Sequence, residues 1–143
     1  MLSRADYDVI VVGGGPAGCH AAMGIAKYSK QSLRVLLVDR NPRSEFGKKT
    51  ISGWSCGDAI SKRSIDLIHE KLGVEYGRPE LEHHVEGVFL YSPDHQTHLL
   101  FEGDGHILNR KIWPQKQLVA AEKLGVEFRF QVAVQKLIVE DNF

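Results

Sequence analysis

The sequence predicts an α/β fold built on a parallel sheet, and three observations carry that expectation. An apolar run, Val9 to Val12, stands directly before a cluster of glycines. Residues 16–29 then place Ala17, Ala21, Ala22, Ile25 and Ala26 at helical spacing. A second apolar run, Arg34 to Val38, follows. A continuous apolar run beside glycines suits a strand buried on both faces, as in a parallel sheet. Strand, helix and strand within about 30 residues make a βαβ unit.

Each element has its own punctuation. Pro16 is tolerated in a first helical turn, where its missing N–H had no partner. Residues 41–55 lack a regular period and are rich in Gly, Lys and Ser, which predicts a long loop of functional or mobile character. Ser55 with Asp58 fits a capping box opening a helix that runs to about Leu72, with Gly73 as its stop. Val85 to Tyr91 and Thr97 to Glu102 flank a turn-rich segment, Ser92 to Gln96, and predict a hairpin. Ile107 and Leu108 read as a short strand and Arg110 to Leu124 as a helix ending at Gly125. Val126 to Phe130 and Ala133 to Val139 read as strands.

Bulk properties narrow the function classes. The 143 residues are one domain's worth, and a chain of this length can bury roughly 70% of its unfolded surface. Hydrophobic residues make up 43% and charged residues 25%, as in soluble globular proteins. Eighteen Lys and Arg balance eighteen Asp and Glu, so there is no global attraction to nucleic acid or anionic lipid. Cys19 and Cys56 fit no zinc or redox spacing and suggest a reducing compartment. The apolar start is too short for a signal peptide or a membrane span. The expected location is the cytoplasm.

Gly13, Gly15 and Gly18 form G-x-G-x-x-G between a predicted strand and a predicted helix, the context the motif requires. Gly13 permits the tight turn, Gly15 lets the backbone approach a pyrophosphate, and Gly18 lets helix and strand pack closely. The helix N-terminus would then face two phosphates. Asp39 ends the second strand about 20 residues on, where a carboxylate accepts from ribose hydroxyls. It argues against a 2′-phosphate, hence against NADP. The motif alone does not separate FAD from NAD, and a glycine-rich turn that binds nothing is the alternative.

Several segments together carry a resemblance. Gly13 to Gly18 with Asp39 resembles the FAD fingerprint of p-hydroxybenzoate hydroxylase-like flavoproteins. Cys56-Gly-Asp-Ala59, continuing into Ile60-Ser-Lys62, resembles the Cys-Gly signature of geranylgeranyl reductases. Leu90 to Thr97 resembles the hairpin that follows it in archaeal members, and Leu108-Asn-Arg110 with Leu124 to Glu127 resembles the family's arginine helix. The match runs in order over nearly the whole chain. It implies a Rossmann-like FAD-binding fold with a small inserted β-sheet near residues 85–102. It also implies that residues 1–143 are the N-terminal portion of a longer enzyme, since relatives carry a later Gly-Asp flavin segment and a lipid-binding domain. The loop from Asn41 to Trp54 and the turn before Arg34 are longer here than in the family.

The resemblance also implies roles. Gly13, Gly15, Ala17 and Gly18 would line the FAD pyrophosphate, and Asp39 the adenosine ribose. Cys56, Gly57 and Ala59 would lie along the cofactor near the flavin, Arg110 by the phosphates or ribityl chain, and Val134 by adenine. Cys56 is the candidate catalytic residue. The implied reaction is saturation of geranylgeranyl double bonds in archaeal membrane lipid synthesis. It would draw electrons from NAD(P)H or reduced ferredoxin, on an isoprenoid lipid met at the inner face of the membrane. No metal and no nucleic acid are implied. Simpler readings stand beside these: Cys56 as a buried thiol, Asp58 as a helix cap, Arg110 as a solvated arginine in a first helical turn. His83, His84 and His95 read as surface positions, and Trp54 and Trp113 as packing residues. A flavin monooxygenase and a non-catalytic nucleotide-binding fragment are the rival functions.

Overall fold

The computed structural model describes residues 6–47 and 58–139. Along the chain run β1 (Val9–Val12), α1 (Pro16–Tyr28), β2 (Val35–Val38), β3 (Ala59–Ser61), α2 (Lys62–Leu72), β4 (Leu81–Tyr91), β5 (His98–Leu108), α3 (Trp113–Lys123) and β6 (Glu127–Arg129). They divide into two compact units, Met1–Gly47 with Leu118–Phe143, and Lys48–Gln117.

The first unit is the βαβ core. Its three strands are parallel in the order β1-β2-β6, with Val9 opposite Val35 and Leu37 opposite Phe128. All four residues of β2 are buried, as its unbroken Val-Leu-Leu-Val predicts. Cys19, Ala22, Met23 and Ala26 of α1 are buried too, and small side chains let that helix lie close to the sheet. Leu118, Ala121 and Val126 complete the apolar interior.

Two strand expectations are corrected here. β1 is not buried on both faces: Ile10 is 56% and Val12 62% exposed, alternating with half-buried Val9 and Val11. Alternate side chains of a strand point to opposite faces, so the face carrying Ile10 and Val12 is the one left uncovered among the described residues. Residues 132–139 form no strand. They leave β6 through two bonds, Gln131 N–H to the Asn41 carbonyl and Val132 N–H to the Asp39 carbonyl. Beyond those no described strand is alongside to pair with, and a strand needs its ladder.

The second unit is an antiparallel sheet in the order β3-β5-β4, with α2 beside it. Its core gathers Leu81, Leu108 and Trp113 with Ile60, Ile65 and Tyr76. The Tyr76 and Trp113 rings lie 5.4 Å apart. The hairpin forms with longer strands than its sequence suggested, and Ile107 and Leu108 belong to β5. Its outer part pairs Val88 with Phe101, Phe89 with Leu100 and Leu90 with Leu99, and all six are at least half exposed. The helix α2 starts later than the capping box implied. Ser61 is its cap, accepting from the Ser64 N–H at 3.1 Å, and Gly73 ends it at φ 74°. Ser55 lies outside the described residues. Asp58 stands ahead of β3 and caps nothing.

Candidate functional site

The turn from β1 into α1 makes different demands on each of its glycines. Gly13 adopts φ +98° and donates its N–H to the Val38 carbonyl at 2.8 Å, fastening the turn to β2. A Cβ on Gly18 would sit 2.1 Å from the Gly13 carbonyl oxygen, so only glycine lets α1 begin this close to β1. Gly15 precedes the helix in extended conformation and is exposed, and a Cβ there would meet nothing within 4 Å. That space is what a ligand approaching the backbone needs.

The start of α1 has no capping side chain and no acid in its first turn. Gly13 and Gly14 spend their N–H groups inside the protein, and Pro16 has none. The amides of Gly15, Ala17 and Gly18 have no acceptor among the described residues and remain for an outside one, at the positive end of the helix dipole. Gly15 and Ala17 are exposed. This donor set fits a phosphate or pyrophosphate, and hence the phosphate portion of a dinucleotide such as FAD.

Asp39, at the end of β2, is 8% exposed. One carboxylate oxygen accepts from Gly14 N–H at 2.6 Å and the other from Asn41 N–H at 2.7 Å. Each oxygen retains a further lone pair, so the group that braces the turn can also accept from a hydroxyl.

Two residues of the site went unread in the sequence. Gly14 is buried, and a Cβ on it would lie 2.0 Å from the Phe46 ring. Phe46 is fully buried and edge-on to Phe128 and Phe130, at 5.7 and 5.9 Å between ring centroids. The first part of the expected loop is therefore anchored against the turn. A short 3-10 turn at Arg43–Glu45 leads into it, and Arg43 grips the Glu122 carboxylate with both terminal nitrogens, at 2.6 and 2.8 Å. A lone phenylalanine in a polar loop was the available signal.

In the second unit, Arg110 lies in a turn ahead of α3 rather than in its first helical turn. Asn109 makes that turn, accepting from Lys111 N–H through its side chain and from Trp113 N–H through its carbonyl. The Arg110 Nε donates to an Asp58 carboxylate oxygen. Ala59 is an exposed residue of β3 paired with Ile107. Val134, in the first unit, is half exposed. Cys56 and Gly57 lie outside the described residues. Cys19 is fully buried, and burial pushes its thiol up to about 12. Burial also lowers His20. The His84 Nε2 donates to the Asp104 carboxylate at 2.8 Å, and no group of three potential metal ligands occurs among the described residues. No helix among them is long and apolar enough to cross a membrane.

Comparison with known proteins finds relatives along nearly the whole chain. A family model described as lycopene cyclase protein matches residues 8–100. The digeranylgeranylglycerophospholipid reductase of Sulfolobus acidocaldarius is 40% identical over 99% of this chain, which spans 29% of that protein. The enzyme of the same name from Methanosarcina acetivorans is 32% identical over 96% of the chain and 31% of its own length. The crystal structure of a geranylgeranyl bacteriochlorophyll reductase-like protein from Thermoplasma acidophilum superposes with a TM-score of 0.68 at 26% identity, over 94% of this chain and 32% of that one. A point mutant of the halogenase PltM in complex with FAD shares the fold, with a TM-score of 0.68 at 20% identity over 96% of this chain and 30% of that one. The chain thus spans about a third of the length of the curated relatives it matches.

Proposed function

The chain belongs to the lycopene cyclase protein family, and from that premise we propose that it is the FAD-binding portion of a reductase acting on geranylgeranyl chains in archaeal membrane lipids. The observation that carries the reading is the 40% identity to a digeranylgeranylglycerophospholipid reductase along 99% of the chain. The uncapped start of α1 supports it independently, because its open amides suit a dinucleotide pyrophosphate. The likeness to halogenases is one of fold, and nothing in the site favours oxygen chemistry over reduction.

In this reading the amides of Gly15, Ala17 and Gly18 hold the pyrophosphate, with Gly13 shaping the turn. Asp39 accepts from the adenosine ribose while bracing Gly14. Val134 offers backbone groups to adenine, and Arg110 binds the phosphates or ribityl chain. Cys56, Gly57 and Ala59 line the cofactor toward the flavin, with Cys56 placing the alkene. The chemistry FAD supplies when bound is two-electron reduction of a carbon–carbon double bond. NAD(P)H or reduced ferredoxin supplies the electrons, and the enzyme is cytoplasmic and meets its lipid substrate at the membrane surface. The test is to denature the purified intact protein and identify the released nucleotide. The reduced protein is then given a geranylgeranyl lipid without oxygen. FAD and mass gains of two hydrogens are expected; NAD without flavin, or an unchanged lipid, overturns the reading.

A further inference from the structure

We infer that Asp58 is a positioning residue that presents Arg110 to the cofactor, a role resting on the reading that Arg110 binds FAD. Three observations meet at this pair. First, Asp58 sits at φ 56°, in the left-handed region. Glycine and asparagine adopt that conformation at least as readily, so the backbone alone does not call for aspartate. What aspartate adds is charge. Second, its carboxylate accepts from Arg110 Nε, with the two side chains only 24% and 21% exposed. Third, Nη1 of the same guanidinium is buried without a hydrogen-bond partner among the described residues.

The backbone makes Asp58 a fixed point. Its carbonyl accepts from Leu108 N–H at 2.8 Å, and the next residue, Ala59, pairs with Ile107. The end of β5, two residues before Arg110, is therefore tied to the strand that Asp58 leads into. A guanidinium is planar and donates along more than one edge. Asp58 takes the Nε side, which fixes the plane and leaves Nη1 as an unspent donor. A buried donor without a partner is costly, and an oxygen-rich anionic ligand is the group that relieves it. Lysine would not reproduce this arrangement: its three donors radiate from one nitrogen on a flexible stem with no fixed plane, so the division of edges between Asp58 and the ligand is lost.

The experiment measures FAD affinity of the intact apoprotein for D58N, R110M, R110K and D58N/R110M, with a thermal melt of each. D58N suits the left-handed backbone and removes only the charge. Loss of one charged hydrogen bond to the ligand predicts that D58N and R110M each weaken FAD by about tenfold or more. R110K should resemble R110M, and the double variant should be no weaker than R110M. An R110M affinity equal to the parent's sinks the reading that Arg110 binds FAD. If R110M weakens FAD while D58N does not, or if the two losses simply multiply, the positioning role is overturned. Should D58N prove less stable, R110K decides: parental affinity there means charge alone suffices and Asp58 positions nothing.

Discussion

Gly14 donates its N–H to the Asp39 carboxylate at 2.6 Å, so the acid that ends β2 is built into the turn that follows β1. The two ends of the expected nucleotide site cannot be altered independently. Asp39→Asn makes the point, because its amide could satisfy only one of the two N–H donors now held. Leaving a buried N–H unsatisfied costs about 1–3 kcal/mol. FAD affinity and denaturant stability should fall together, and parental values for both would show that Asp39 does neither job.

Gly18 and Gly24 lie on the same helix and should respond oppositely to alanine. A Cβ on Gly18 meets backbone at 2.1 Å, whereas one on Gly24 meets nothing within 4 Å. Gly18→Ala should cost on the order of 1–3 kcal/mol through overpacking and lower FAD affinity. Gly24→Ala should stabilise by about 0.5–1 kcal/mol through reduced backbone entropy. Urea titrations of both variants give the comparison.

Phe46 and Gly14 are in contact, so their substitutions should couple. Gly14→Ala drives a methyl into the ring, and Phe46→Ala opens a cavity worth about 3–5 kcal/mol. Combined, the added methyl occupies vacated space, and the double variant should be more stable than the sum of the single losses. Strict additivity would mean that Gly14 is held for another reason.

The Glu80 carboxyl is raised by burial, but its bonds with Lys116 and the Gly77 amide outweigh this and hold it below the ordinary range. Its folded-state value lies below its unfolded value, so its contribution is full above about pH 4.3, the ordinary glutamate value. It fades as pH falls through the lower folded-state value. Lys116→Met should move acid unfolding of the second unit to higher pH, read by circular dichroism; an unmoved midpoint would deny the pair a role.

The two cysteines should behave differently. Cys19, fully buried with its thiol near 12, should resist alkylation in the native protein at pH 8. Cys56→Ser should keep FAD yet slow turnover or change the extent of lipid reduction, since misplacement by about 1 Å can cost on the order of 10²-fold. Unchanged rate and product pattern would make Cys56 a packing residue.

What the sequence made legible was whatever depends on local pattern. The βαβ core, the glycine turn, the hairpin and Asp39 all declare themselves through period, glycine spacing or position. The misses share a physical cause, which is dependence on residues distant in the chain. Ile10 and Val12 are as apolar as Leu36 and Leu37, and they are exposed because the face of β1 that carries them is uncovered among the described residues. Phe46 matters through Phe128, Phe130 and Gly14. Asp58 looked like a cap because the three-residue spacing from Ser55 is local, whereas its partner is 52 residues away. The helix starts are the exception: they slipped for local reasons, because Ser61 and Asn109 beside each start satisfied the backbone first.

The amides of the glycine turn are spent unequally, which gives the site a built-in isotopic signature. In heavy water, the Gly13 and Gly14 N–H groups, bonded to Val38 and Asp39, should exchange slowly whether or not a nucleotide is present. Those of Gly15, Ala17 and Gly18 should exchange quickly until a phosphate covers them. Deuterium uptake over this short stretch would therefore report occupancy amide by amide, without a coloured cofactor and without turnover.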